Sequence, residues 1–289
     1  MLRIQDTLQT FHANNKLDLF MMGNNESTFY DFWLRWQYLQ PKHPIFSEHS
    51  HCLGSCIPVA VHADEGTTLK KKGIMIIQVQ PIIGKGTRKR QGTPEVPGCN
   101  MLGESLQSRF LYSVMLTRVY SGKKKKNKPL LKLMDHLSKD LADAFYSGIE
   151  FGDGQTFFLV PIALKGDWPA LIKLGGLQRH FGRVIAIDDK AGKGICHLCQ
   201  ADQEGHKNWH DVSWENMSRM HAGAPLPWDT DPSLVSAIPL PNEYKVDFFR
   251  IDMFHTLHKG VFGDIAANTL VLGIHDGNAL FLYLEAFSF

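Results

Sequence analysis

Apolar and polar positions along the chain follow two periods, one near 3.6 residues and one near two, and the switches between them mark the elements. The stretch STFYDFWLRWQYLQ at 27–40 carries Phe29, Phe32, Trp33 and Trp36 at spacings of three and four. That spacing predicts a helix, with Ser27 as its N-cap and Pro41 and Pro44 ending the segment. Three runs rich in β-formers come next: CIPVAVHAD at 56–64, GIMIIQVQPII at 73–83 and SRFLYSVMLTRVY at 108–120. Each predicts a strand. Residues 84–104 between the second and third are rich in Gly, Pro and charge, a composition that resists regular structure. A helical period then returns at Leu130, Leu133, Met134, Leu137, Leu141 and Phe145, with Pro129 suited to the first turn and Gly148 to the stop. QTFFLVPIALKGD at 155–167 predicts a fourth strand, and WPALIKLGGLQRH a helix in which Pro169 again fits the first turn.

Strand, strand, strand, helix, strand, helix is the core order of the RNase H-like fold, an α/β class with a mixed sheet flanked by helices. The expected organisation is a helical lead-in over 1–45, the core over 46–185, and a Cys/His zinc-binding insert with a C-terminal helical segment over 186–289. In that order Asp64 ends the first strand and Asp167 lies just past the fourth, its expected neighbour. The two carboxylates then meet at one end of the sheet, where hard oxygen ligands suit Mg²⁺ or Mn²⁺. The structural alternative is a turn made by Asp64 with Gly66, and a helix cap made by Asp167 ahead of Trp168.

Composition changes this picture only locally. The 289 residues are 44% hydrophobic and 21% charged with a net charge of +2, ordinary for a folded chain. Basic residues cluster at Lys70, Lys71 and Lys72, at Arg88, Lys89 and Arg90, and at Lys123, Lys124, Lys125 and Lys126. One such run is usually a solvated loop; three within sixty residues suggest a face for a polyanion. No run of eighteen apolar residues exists, so no membrane span is expected.

Five cysteines and the absence of a signal-like N-terminus argue against a secreted disulfide framework. In ICHLCQADQEGHKNWHD, Cys196 and Cys199 are followed by His206 and His210 at spacings that can wrap a structural Zn²⁺, with His255 or His258 able to replace one histidine. His49, His51, Cys52 and Cys56 form a rival cluster crowded into eight residues. Further on, Asp252, His255 and Lys259 recur on one face of an expected helix.

Taken in order, VHADEG, LKGDWPAL, the CxxC pair and DMFHTLHKGV resemble the catalytic region of DDE-type cut-and-paste transposases, closest to the CACTA group, over about residues 56–275. The resemblance implies an RNase H-like core that hydrolyses and rejoins DNA phosphodiesters with two Mg²⁺ or Mn²⁺ ions. Asp64 and Asp167 match its first two metal-binding acids, Asp252 with His255 its Asp-x-x-His signature, and Cys196 with Cys199 its cysteine pair. It also implies DNA as partner, a nuclear location, scope for oligomers, and a third acid on a later helix. Glu285, four residues from the end, is the only acid there in a suitable apolar segment, with Asp264 another candidate. The expectation is therefore a fragment, or a derived copy without catalysis. A different class of function, a non-catalytic zinc-stabilised nucleic-acid-binding or interaction protein descended from such an element, shares the basic loops and zinc but needs no third acid.

Overall fold

The computed structural model describes residues 1–84, 98–99, 108–122, 126–179, 194–201, 213, 226–250, 262–263 and 265. Met1–Arg250 forms one compact unit and Ile251–Phe289 a second.

Helices α1 (Ile4–Ala13), α2 (Leu17–Met21), α3 (Glu26–Leu39) and α4 (Ile45–Glu48) precede the first strand. They bury Ile4, Leu8, Phe20 and Phe29 in the main core, so this lead-in belongs to the same packing unit as the sheet. Asn25, not Ser27, caps α3: its side chain accepts from the Thr28 amide at 3.1 Å, while the Ser27 hydroxyl donates to Asn25 Oδ1. Two cap-competent residues stand close together here, and the one in extended backbone wins.

The sheet contains β1 (Cys56–Thr67), β2 (Gly73–Pro81), β5 (Phe110–Leu116), β6 (Ile149–Glu150) and β7 (Thr156–Gly166), in the order β5-β2-β1-β7-β6. A separate short pair joins β3 (Ile83–Gly84) to β4 (Gly98–Cys99). β1, β2 and β5 run antiparallel in turn, and β7 runs parallel to β1. β1 extends three residues past Asp64, so the Asp64–Gly66 turn is not formed; the chain reverses instead through Thr68–Lys72, where the Lys71 amide donates to Thr68 O at 2.8 Å. Pro161 sits in β7 where its register with β1 slips, as suits a residue without an N–H.

The third expected strand ends early: Thr117–Tyr120 is a helical turn, α5, not a continuation of β5. Helix α6 (Lys128–Tyr146) follows, with the predicted stripe of Leu130, Leu133, Met134, Leu137, Leu141 and Phe145 buried. Gly148 beyond it has φ +72°, and a Cβ there would meet Thr156 Cγ2 at 2.6 Å. A glycine is therefore required on both counts. Helix α7 (Trp168–Gly175) leaves the end of β7 and stops at Gly176, also left-handed. Helix α8 (Ser233–Ser236) adds Leu234 and Val235 to the core. Phe249 then forms a parallel bridge with Leu164 on β7, and the Arg250 amide donates to Leu164 O at 2.9 Å.

Candidate functional site

At the carboxyl end of β1 and β7, the register pairs Ala63 with Gly166. Asp64 and Asp167 are the next residues on the two strands. Their backbones are thus neighbours at one sheet end, brought together across the crossover through α6. Gly166 permits the closeness, since a Cβ there would fall on the Ala63 carbonyl oxygen. Asp64 is exposed; Asp167 is half-buried and caps α7, its Oδ1 accepting from the Ala170 amide at 2.8 Å. The capping role expected as the alternative for Asp167 is therefore filled by one of its oxygens.

Side chains alternate along a strand, and Ala63 belongs to the core face covered by α6 and α7. Glu65 lies on that face too. One of its oxygens accepts from the Tyr120 hydroxyl of α5, and the other pairs with Lys173 of α7. Burial first, and then the bond to Glu65, push Tyr120 up to about 12; the charges of Glu65 and Asp167 act in the same direction. Tyr120 is thus a neutral donor at ordinary pH, within the field of both acids. Nothing local in the sequence marks this triad, because its members are far apart in the chain and meet only through the β1–α7 packing.

Lys70, Lys71 and Lys72 are exposed in the β1–β2 turn, at the same sheet end as the acids. Exposed Lys126 follows α5 at that end too, because Leu116, the last residue of β5, pairs with Ile74 near the start of β2. Lys123, Lys124 and Lys125 lie outside the described residues. So do Arg88, Lys89 and Arg90.

Among the described residues, His49, Cys52 and Cys56 form a group that could hold a metal ion, with one ligand atom from each lying within 4.8 Å of the others. His49 follows α4, Cys52 opens a 3₁₀ turn at Leu53–Ser55, and Cys56 is the first residue of β1. The turn gathers residues that the sequence shows only as crowded: the Cys52 amide donates to His49 O at 3.0 Å and the Ser55 amide to Cys52 O at 2.9 Å. Burial raises both thiols and lowers the His49 imidazole.

The other cysteine pair also sits in an ordered loop. The Leu198 amide donates to Cys196 Sγ at 3.4 Å. Cys199 is raised first by its hydrogen bond to Cys196 and then by burial, while an Ala201 amide bond opposes the rise. Buried Arg179 braces the loop from below, donating to Cys196 O at 3.2 Å and His197 O at 3.1 Å. His197, inside the CxxC, is fully buried and bonds through Nε2 to Phe249 O at 2.9 Å, tying this loop to the segment that bridges β7. The expected partners His206, His210, His255 and His258 lie outside the described residues, as do Asp252, Lys259, Asp264 and Glu285.

No helix among the described residues is long and apolar enough to cross a membrane. Compared with known proteins, the chain matches no family model, no curated protein and no solved structure.

Proposed function

We propose that the chain is an RNase H-like, DDE transposase-type region that engages DNA and brings Asp64 and Asp167 to bear on a phosphodiester. The observation that carries this reading is the Ala63–Gly166 register, which makes the backbones of Asp64 and Asp167 neighbours at the carboxyl end of a parallel pair within the order β5-β2-β1-β7. A parallel crossover through α6 is what makes residues a hundred positions apart adjacent. The donor set, carboxylate oxygens beside an exposed edge, fits hard divalent cations better than soft ones. When bound, Mg²⁺ or Mn²⁺ would supply an activated nucleophile and charge neutralisation at the leaving oxygen.

The chain's own groups have separable tasks. Asp64 offers an exposed carboxylate, and Asp167 is held in one orientation by its bond to Ala170 N. Lys70, Lys71 and Lys72 contact the phosphate backbone beside the acids, without reading sequence. The Glu65–Lys173–Tyr120 triad locks α5 and α7 behind the site. Cys196 and Cys199, with histidines from the following segment, would hold a structural Zn²⁺, and a nuclear location follows from DNA as partner.

A second reading, a non-catalytic DNA-binding or interaction protein, is favoured by one observation: Asp167 already serves as a helix cap, a role that needs no metal. One pair of measurements separates the readings. Binding of duplex DNA should weaken steeply with salt, and more weakly so in Lys70→Ala/Lys71→Ala/Lys72→Ala. Mg²⁺-dependent nicking of supercoiled plasmid should be weak or nil from the 289-residue chain. Robust nicking lost in Asp64→Asn would establish the catalytic reading and a third acid outside the described residues, whereas DNA binding indifferent to salt would overturn both.

A further inference from the structure

Cys56 belongs to a second core cluster with Trp33, Ile45, Leu53, Phe145, Val160 and Ile162, and His49 packs edge-on against its Phe145. Cys56 is fully buried, His49 is 5% exposed and Cys52 is half-buried. Two thiols and an imidazole converging in such a place are either inert packing or a metal site. Thiols alone would pack as small apolar groups. The histidine decides the matter.

His49 Nε2 lies 2.7 Å from Phe145 O, and a carbonyl only accepts. Nε2 therefore carries the proton, and in the neutral ring Nδ1 keeps its lone pair. A ring nitrogen donating to a backbone carbonyl while the other offers its lone pair is the usual arrangement of a metal-bound histidine. The ring is also held between two others, tilted by 35° against Phe158 at 4.2 Å and edge-on at 4.8 Å to Phe145. On the cysteine side, Trp33 Nε1 donates to Cys56 O at 2.8 Å and holds the start of β1.

We infer that His49, Cys52 and Cys56 bind a structural Zn²⁺ that staples the end of α4, the 3₁₀ turn and β1 together, and through Phe145 O the end of α6. The chemistry selects zinc: two thiolates and one imidazole are a soft to borderline set. Bonds of about 2.0 to 2.3 Å in a tetrahedron place ligand atoms about 3.3 to 3.8 Å apart. The observed group, within 4.8 Å, needs only a small contraction to reach that. Binding converts both thiols to thiolates and releases their protons to solvent. Exposed His51, two residues past His49, or a water would supply the fourth ligand. This site is separate from the Cys196–Cys199 loop and from the acids of β1 and β7, and it stands whether or not the chain acts on DNA.

The test uses the full chain carrying Cys196→Ser and Cys199→Ser, so that the second cysteine pair cannot contribute. Titration with Co²⁺ should give about one bound ion per chain with a thiolate-to-cobalt charge-transfer band, and Zn²⁺ should displace it. Adding Cys52→Ser or His49→Ala should abolish the band while the far-ultraviolet circular dichroism is kept. In the unsubstituted chain, Cys52 should resist alkylation when zinc-loaded and react after a chelator is added, a readout that survives if the substituted chains fail to fold. Absence of the band in a folded Cys196→Ser/Cys199→Ser chain, Cys52 alkylation unaffected by the chelator, or a Cys52–Cys56 disulfide seen as a loss of two hydrogens by mass would overturn the assignment.

Discussion

Replacing Asp167 separates its two roles, because asparagine keeps the cap and removes the charge. Asp167 Oδ1 accepts from Ala170 N at 2.8 Å, at the start of a helix that buries Ala170, Leu171 and Leu174. Alanine removes the acceptor, a loss worth about 1 kcal/mol in typical caps, and the favourable charge at a helix N-terminus, worth about 0.3 to 1 kcal/mol. Asp167→Ala should therefore cost about 1 to 2 kcal/mol, and Asp167→Asn about 0.5 kcal/mol, since asparagine caps about as well as aspartate. At about 2 to 4 °C of melting temperature per kcal/mol for a chain of roughly this size, urea unfolding and thermal scans resolve both. Mn²⁺ provides the second axis: a ligand that binds the native state raises stability by mass action, so Mn²⁺ should stabilise the unsubstituted chain and neither variant. If Asp167→Asn loses as much as Asp167→Ala, the cap bond is not what holds the helix start. If Mn²⁺ stabilises Asp167→Asn as much as the unsubstituted chain, Asp167 is not a ligand.

Gly166→Ala would push a Cβ onto the Ala63 carbonyl and pry β1 from β7, costing about 1 to 3 kcal/mol by chemical unfolding; an unchanged midpoint would contradict the register. Lys173→Met leaves Glu65 with Tyr120 as its described partner and should cost roughly 1 to 2 kcal/mol, between exposed and buried pairs, with Glu65→Gln in the same chain restoring part of it. Burial holds His43 near 4, below its ordinary 6.5, so its contribution is present above about pH 6.5 and is lost as pH falls through about 4. Its size is roughly 3 kcal/mol, and unfolding midpoints should show a shallower acid limb in His43→Gln.

What was legible in the sequence is what repeats. The α6 stripe and the apolar runs of β1, β2 and β7 carry enough residues for a period to show, and their order makes the backbones of Asp64 and Asp167 neighbours at one sheet end. β6 and α5 were invisible, because two residues and four residues cannot establish a period. Glu65 directly follows Asp64 in the chain, and only the pleat, which turns successive side chains to opposite faces, sends it to Lys173 and Tyr120. His49, Cys52 and Cys56 were visible as a cluster, but their convergence depends on the 3₁₀ turn at Leu53–Ser55 and on the Phe145 carbonyl, far along the chain. His197 lies between two cysteines, and its bond to the Phe249 carbonyl, far along the chain, leaves no local signal.

The central claim is that Asp64 and Asp167 share a divalent cation at the carboxyl end of β1 and β7. The most direct measurement is a crystal structure of the chain soaked in Mn²⁺, with anomalous scattering used to locate the ion. The account predicts an anomalous peak bridging the two carboxylates, and its loss in Asp64→Asn crystals. Carboxyl groups more than about 8 Å apart, beyond what two ions 3.5 to 4 Å apart could bridge, with no manganese between them, would contradict it.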